Sequence, residues 1–226
     1  MNLYHGDCLD YMRTMADGSV DLIVTDPPYE IAEDGGGGCF GSKSRAYHGE
    51  LQAIKHGFAP EILDEMKRVL KRLNLYISCS KAQIPTLLNF FGGGYTLISW
   101  HKSNPVPTCN NKYLSDTEYC LYFREPGVKI GGTMATKSTY YVTPLNVADK
   151  KLYGHPTVKP LKIIRNFIIN SSQEGDIVFD PFMGSGTTGV AALELNREFI
   201  GCEIDPGYFK TALRRTKVVM AQGRLF

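Results

Sequence analysis

Asp176-Ile177-Val178-Phe179-Asp180-Pro181-Phe182-Met183-Gly184-Ser185-Gly186-Thr187-Thr188-Gly189, read with the residues that follow it to Glu203, decides the fold. The apolar run Asp176–Asp180 predicts a strand that stops at Pro181. Thr187–Asn196 predicts a helix, and Glu198–Glu203 a second strand. Two strands joined by a helix are parallel neighbours with a crossover, because a parallel pair needs a connection of that length. The glycines between strand and helix let the backbone approach a ligand, and the helix start offers free N–H groups. A phosphate-binding loop of the Gly-x-x-x-x-Gly-Lys kind needs a lysine after Gly186, where this chain has Thr187. The dinucleotide pattern Gly-x-Gly-x-x-Gly does match at Gly184, Gly186 and Gly189, and Glu203 lies 23 residues after Asp180, where an acid commonly holds a ribose diol.

Working outward, the same alternation fills both ends of the chain. Asn2–His5 predicts a strand and residues 8–16 a helix with Leu9, Met12 and Met15 at helical spacing. Val20–Thr25 is a β-branched strand that ends at Asp26-Pro27-Pro28-Tyr29, since two prolines cannot continue it. Pro60 opens a helix that turns Ile62, Leu63, Met66, Val69, Leu70 and Leu73 to one side. Further strands are predicted at Leu75–Ser78, Tyr95–Trp100 and Glu118–Phe123, and further helices at Val158–Ser171 and Pro206–Met220. Strands separated by helices in this way predict an α/β fold, with a parallel sheet covered on both faces. Residues 30–58, with four successive glycines at 35–38, read as a mobile loop, and residues 124–156 show no clean period. Both read as insertions in a single domain spanning 1–226.

With 226 residues, 43% hydrophobic and 21% charged, the chain can bury a core, and it is not a disordered polymer. No uncharged apolar run is long enough to cross a membrane as a helix, so no membrane partner is expected. The first residues carry neither a basic nor an apolar signal region, and the six cysteines form no Cys-x-x-Cys pair. They read as reduced thiols of a cytoplasmic protein, with no metal site expected. Net charge is only +2, but residues 124–165 hold eight bases against two acids, a footprint suited to a polyanion or a solvated face.

Asp26-Pro27-Pro28-Tyr29 supplies a second site. A strand-end carboxylate, a rigid pair of prolines and an aromatic ring make a slot for a flat group that bears an amine. Asp26 accepts one N–H, a proline carbonyl accepts another, and Tyr29 offers a stacking face.

The two sites together resemble the amino-methyltransferases of DNA, which methylate adenine N6 or cytosine N4 with S-adenosylmethionine. Asp180–Thr188 resembles that family's cofactor loop, and Asp26–Tyr29 its catalytic tetrapeptide. Gly6-Asp7-Cys8, Trp100-His101-Lys102 with Asn104-Pro105, and Gly154-His155-Pro156-Thr157 before Lys159-Pro160 also match, so the resemblance covers residues 2–29, 95–125 and 154–216. The order, catalytic motif first and cofactor loop last, resembles the circularly permuted class called β. The resemblance implies a Rossmann-like, doubly wound, mostly parallel seven-stranded sheet with loop insertions for target recognition, the segment 124–156 serving as a small recognition region. It implies Asp26, Pro27, Pro28 and Tyr29 as catalytic residues. Cofactor binding falls to Asp180, Pro181, Phe182, Gly184, Ser185, Gly186 and Thr187 at the methionine moiety, Glu203 at the ribose, Asp7 and the Cys8 backbone at the adenine, and Lys159 at the methionine end. Double-stranded DNA is the implied partner, with a homodimer and a separate restriction endonuclease left open.

Permutation carries a topological expectation. The cofactor half needs a third strand beyond Glu198–Glu203, and Asn2–His5 from the other terminus can supply it, pairing in parallel with Glu198–Gly201 and bringing Asp7 to the same edge as Asp180 and Glu203. Aspartate rather than serine before the two prolines favours adenine over cytosine by family analogy. Three alternatives stand beside this reading: a cytosine-N4 methyltransferase, a non-catalytic protein that binds nucleic acid or an adenosine ligand, and an NAD(P) oxidoreductase. The last gives Asp26–Tyr29 no role, and an intact Asp26 and Tyr29 argue against the second.

Overall fold

The computed structural model describes residues 1–29, 58–92, 94–105, 113–145, 152–153 and 158–222. The expected mobile loop at 30–58 therefore lies, except for Phe58, outside the described residues, as does Gly154–Thr157. In chain order the elements are β1 (Asn2–His5), α1 (Cys8–Thr14), β2 (Leu22–Thr25), α2 (Glu61–Val69), β3 (Asn74–Cys79), α3 (Ile84–Phe91), β4 (Tyr95–Lys102), β5 (Thr117–Arg124), β6 (Tyr140–Thr143), α4 (Leu161–Ser171), β7 (Ile177–Asp180), α5 (Thr187–Glu194), β8 (Glu198–Glu203) and α6 (Pro206–Gln222).

One sheet runs β1-β8-β7-β2-β3-β5-β4-β6. Every neighbouring pair is parallel except the two made by β5, which runs against the rest. The doubly wound, mostly parallel sheet is as expected, but it has eight strands where seven were predicted. The additional strand, β6, comes from the segment read as a recognition insertion; its Tyr-Tyr-Val-Thr run pairs with β4 at the sheet edge. The helix α3 was also not predicted. Pro85 sits in its first turn, and Gly92 ends it at φ 62°.

Two apolar layers hold the sheet. On one face Val24, Tyr76, Trp100, Tyr122 and Val178 pack against α4, α5 and α6. On the other, Ile23, Ile77, Phe123, Phe179 and Cys202 pack against α1, α2 and α3. The α2 spacing read from sequence delivers Ile62, Leu63, Met66 and Val69 to that second layer, each worth about 1.5–3 kcal/mol of apolar burial.

The N-terminal strand lies beside β8 in parallel, with Asn2 opposite Ile200 and His5 opposite Glu203. The expected pairing holds, shifted two residues along β8. The chain winds outward from β7 through β8 to one side and from β2 through β3 to the other. The reversal lies between β7 and β2, where an open α/β sheet leaves a crevice at the carboxyl ends of its strands.

Candidate active site

Strand ends deliver Asp180 from β7 and Thr25-Asp26 from β2 into that crevice, and Thr25 Oγ1 donates to Asp180 Oδ1 at 2.8 Å. Asp180 is 3% exposed. Burial pushes its carboxyl up to about 7, against the pull of hydrogen bonds that include Thr25 and the Phe182 N–H, and the nearby Asp26 carboxylate adds to the rise. A cationic ligand would relieve this crowding of negative charge.

Beyond Asp180 the loop turns through Gly184 and Gly186, both left-handed at φ 51° and 82°. A β-carbon on Gly186 would come within 2.9 Å of the Ala212 methyl on α6, so glycine is required there. Glu203 braces the loop: its Oε2 accepts from Gly184 N at 2.9 Å and its Oε1 from Asp205 N at 2.8 Å. Burial raises the Glu203 carboxyl, with these two N–H groups acting in opposition. Arg215 of α6 donates to the Ser185 carbonyl at 2.7 Å and to Thr187 Oγ1 at 3.2 Å, and its guanidinium lies 3.8 Å from the Tyr153 ring centroid. At the start of the loop Pro181 is buried and Phe182 half-buried, Phe182 meeting Phe58. Asp7 caps α1 by accepting from Leu9 N at 2.7 Å, and the Gly6 N–H donates to the Glu203 carbonyl at 3.0 Å. Asp7, Cys8, Asp180 and Glu203 thus share one edge of the sheet.

A second cluster faces this loop. Tyr29 OH donates to Asp26 Oδ1 at 2.8 Å, and Lys159 Nζ donates to Asp26 Oδ2 at 2.6 Å and to Tyr29 OH at 3.2 Å. Gln83 donates to the Pro28 carbonyl at 3.0 Å, fixing the second proline, while among the described residues nothing donates to the Pro27 carbonyl. Glu118 stands behind Lys159, with Oε2 3.0 Å from Nζ as an ion pair, and its Oε1 is 2.8 Å from Lys102 Nζ. Burial opposes the Glu118 charge, but Lys159 and Lys102 outweigh it and draw the carboxyl down to about 2. Burial likewise opposes the charge on Lys159, yet Asp26 and Glu118 hold the ammonium well above its ordinary range. Burial and the Asp26 carboxylate keep the Tyr29 hydroxyl protonated.

The expected catalytic and cofactor residues therefore converge on one crevice, with one change of place: the ammonium of Lys159, read as a cofactor residue, lies on Asp26. Trp100 is packed, its indole N–H on Thr143 Oγ1 at 2.7 Å. Glu118, Gln83, Thr25 and Arg215 were not singled out from sequence. Nothing local in the sequence marks Glu118, the acid that opens the predicted strand Glu118–Phe123. Among the described residues no group of side chains could hold a metal ion, and no helix is long and apolar enough to cross a membrane.

A family model described as DNA methylase, of the N6/N4 type, matches residues 20–214. The Type II methyltransferase M2.DpnII of Streptococcus pneumoniae is 30% identical over 244 residues, covering 95% of this chain and 89% of its own. The DNA adenine methyltransferase YhdJ of Escherichia coli K12 is 29% identical over 254 residues, covering 96% and 82%. Among solved structures, the complex of M1.HpyAVI with SAM superposes with a TM-score of 0.68 at 28% identity, covering 95% of this chain and 98% of that one.

Proposed function

This chain belongs to the DNA methylase family, and from that membership we propose that it is an adenine-specific DNA methyltransferase, carrying the methyl group of S-adenosylmethionine to the exocyclic N6 amine of a flipped adenine. The observation that carries the reading is the convergence of Asp26 and Tyr29 with the Asp180–Thr187 loop at the switch point of the sheet. The crevice suits this cofactor chemically. Its buried carboxylates favour a cation over a phosphate, its glycine turn brings backbone close, and the loop lacks the lysine that a nucleotide phosphate would want.

When bound, S-adenosylmethionine supplies an electrophilic methyl on a sulfonium, so the chain need not provide a covalent nucleophile. The residues present hold and aim. Asp180, Pro181, Phe182, Gly184, Ser185, Gly186 and Thr187 would surround the methionine moiety, and Asp7 with the Cys8 backbone the adenine. Glu203 would take the ribose: each of its oxygens accepts one backbone N–H and keeps a lone pair for a hydroxyl. On the acceptor side, Asp26 and the Pro27 carbonyl would each accept one N–H of the amine, while the Tyr29 ring packs on the base. Holding both hydrogens directs the nitrogen lone pair out of the slot, and the Asp26 charge stabilises positive charge growing on that nitrogen. The surplus amine proton leaves afterwards to solvent.

The adenine assignment is supported by Asp26 in the tetrapeptide and by relatives such as YhdJ. The Type II designation of the relatives supports a restriction–modification setting with a separate endonuclease. We further propose a cytoplasmic location, a single methyltransferase domain over residues 1–226 with 124–156 contacting the target, and a homodimer as the assembly to test by sedimentation. The decisive experiment is expression in a methylation-free host followed by sequencing that reports modified bases. N6-methyladenine at one recurring sequence is expected. N4-methylcytosine would move the substrate to cytosine, and unmodified DNA would refute the activity.

A further inference from the structure

Both carboxylate oxygens of Asp26 are occupied. Tyr29 OH donates to Oδ1 at 2.8 Å and Lys159 Nζ to Oδ2 at 2.6 Å. The same ammonium stands 5.3 Å from the centre of the Tyr29 ring and lies over it, where an incoming base would stack. Each Asp26 oxygen keeps a second lone pair for an amine, but a base that stacks on the Tyr29 ring must displace the ammonium that lies over it. The tyrosine belongs to the slot itself, so the lysine is the partner that can move. A place for it exists. Glu118 Oε2 is buried and, among the described residues, accepts no aligned hydrogen bond, while Lys159 Nζ lies 3.0 Å away as its ion-pair partner. The other oxygen of Glu118 is fixed by Lys102 at 2.8 Å, so the carboxylate is held still with one acceptor open toward the lysine. The ion pair already brings Lys159 Nζ within reach of this oxygen, and a rotation of the Lys159 terminus would align a hydrogen bond to it.

Building on the proposed methyl transfer, we propose that Glu118 is a positioning residue: it receives the Lys159 ammonium when the acceptor amine takes Asp26, which makes Lys159 a movable counter-ion with two seats. In the free enzyme the lysine pairs with Asp26 and holds the carboxylate aimed while the slot waits. In the loaded enzyme it sits on Glu118, close enough to Asp26 to preserve the field but no longer between the carboxylate and the amine. The proton stays on Lys159 in both positions, and no bond is made or broken by the move. Cytosine and adenine amines would both trigger it, so Glu118 sets the rate of transfer and not the choice of base.

The test is Glu118→Gln, which keeps the shape and removes the charge that draws the lysine away. Single-turnover methyl transfer to DNA should slow by about 10- to 100-fold, the worth of one hydrogen bond to a charged group, while S-adenosylmethionine affinity by titration stays within about twofold. Because Glu118 acts through Lys159, the double variant Glu118→Gln/Lys159→Met should be no slower than Lys159→Met alone, within about twofold. Wild-type rate in Glu118→Gln, or losses that multiply in the double variant, would overturn the proposal. If Glu118→Gln fails to fold, Lys102→Gln decides: freeing Glu118 from its other cation should leave the transfer rate equal or higher, and a loss beyond about tenfold would overturn the idea. Wild-type enzyme inactive on every DNA amine would remove the parent reading and this one with it, whereas an active wild type with an unchanged Glu118→Gln removes this one alone.

Discussion

Asp180→Asn should make the free protein more stable above pH 7 while weakening its hold on S-adenosylmethionine. In the folded state burial pushes the Asp180 carboxyl from the ordinary 3.8 up to about 7. As pH rises from about 4 to 7, the unfolded chain gives up this proton first, so the equilibrium is drawn toward unfolding; above about 7 the cost is complete, and below about 4 it is absent. Three units at about 1.4 kcal/mol each set this cost at about 4 kcal/mol. With 3% exposure, solvent does little to screen it. Asparagine keeps an oxygen for Thr25 Oγ1 and the Phe182 N–H, which lie 2.8 and 3.1 Å from Asp180 Oδ1. Its new N–H₂ must find an acceptor, which costs about 1–2 kcal/mol. The net gain at pH 8 is then about 2–3 kcal/mol, or about 5–10 °C in Tm for a chain of this size. Urea unfolding from pH 4.5 to 8.5 measures it: wild type should lose stability across this range and the variant stay nearly flat. Parallel curves, or a variant less stable than wild type at pH 8, would refute the reasoning. The expected loss of cofactor affinity would mark Asp180 as a group kept for binding at the expense of the fold.

Asp26→Ala should abolish methyl transfer and leave S-adenosylmethionine affinity nearly intact, as read by titration beside a methylation assay. Tyr29→Phe loses the hydrogen bond to Asp26, about 0.5–1.5 kcal/mol in transfer rate, whereas Tyr29→Ala also loses stacking worth about 1–3 kcal/mol, so the alanine variant should be the slower in single-turnover assays. Gly186→Ala places a β-carbon 2.9 Å from the Ala212 methyl in a left-handed backbone. It should lower Tm and cofactor affinity together, the conformation alone costing about 1–2 kcal/mol. Replacing Lys150 and Lys151 by alanine should flatten the salt dependence of DNA binding by roughly one log–log unit per lost phosphate contact without changing cofactor affinity; an unchanged slope would remove both lysines from the DNA face.

The parts legible in the sequence were those whose physics is local. The β-branched run ending at Asp26 and the apolar run ending at Asp180 announce strands, and Gly184 and Gly186 announce the turn, with a side chain at Gly186 colliding with α6. The Ile62-to-Val69 spacing gave the face that α2 buries. What escaped depends on distance along the chain or on weak local pattern. Helix α3, Ile-Pro-Thr-Leu-Leu-Asn-Phe-Phe, is apolar nearly all round and carries a proline, so no helical stripe stands out. Strand β6 is four residues in a Thr-, Tyr- and Lys-rich stretch, and its pairing with β4 supplies an order its own composition does not. The ion pair of Lys159 with Asp26 joins residues 133 apart. Alternation along β5 made Tyr119, Leu121 and Phe123 conspicuous and left Glu118 as an ordinary strand-opening acid, since nothing local shows that two lysines from elsewhere meet it.

The permuted strand order also bears on how the protein comes off the ribosome. β1 and β2 precede β7 and β8 by about 150 residues or more, yet in the finished sheet they are separated by β8 and β7. Until β7 has emerged, β2 has β3 on one side and nothing on the other, and until β8 has emerged β1 has no neighbouring strand in the sheet. Pairing β1 with β8 joins residues nearly 200 positions apart, a slow search for a nascent chain. The tetrapeptide slot beside β3 can therefore form early in synthesis, but the crevice between β2 and β7 cannot exist before β7 is made. An amber codon anywhere upstream of β8 leaves an open sheet edge that invites aggregation, and no shortened enzyme with reduced activity.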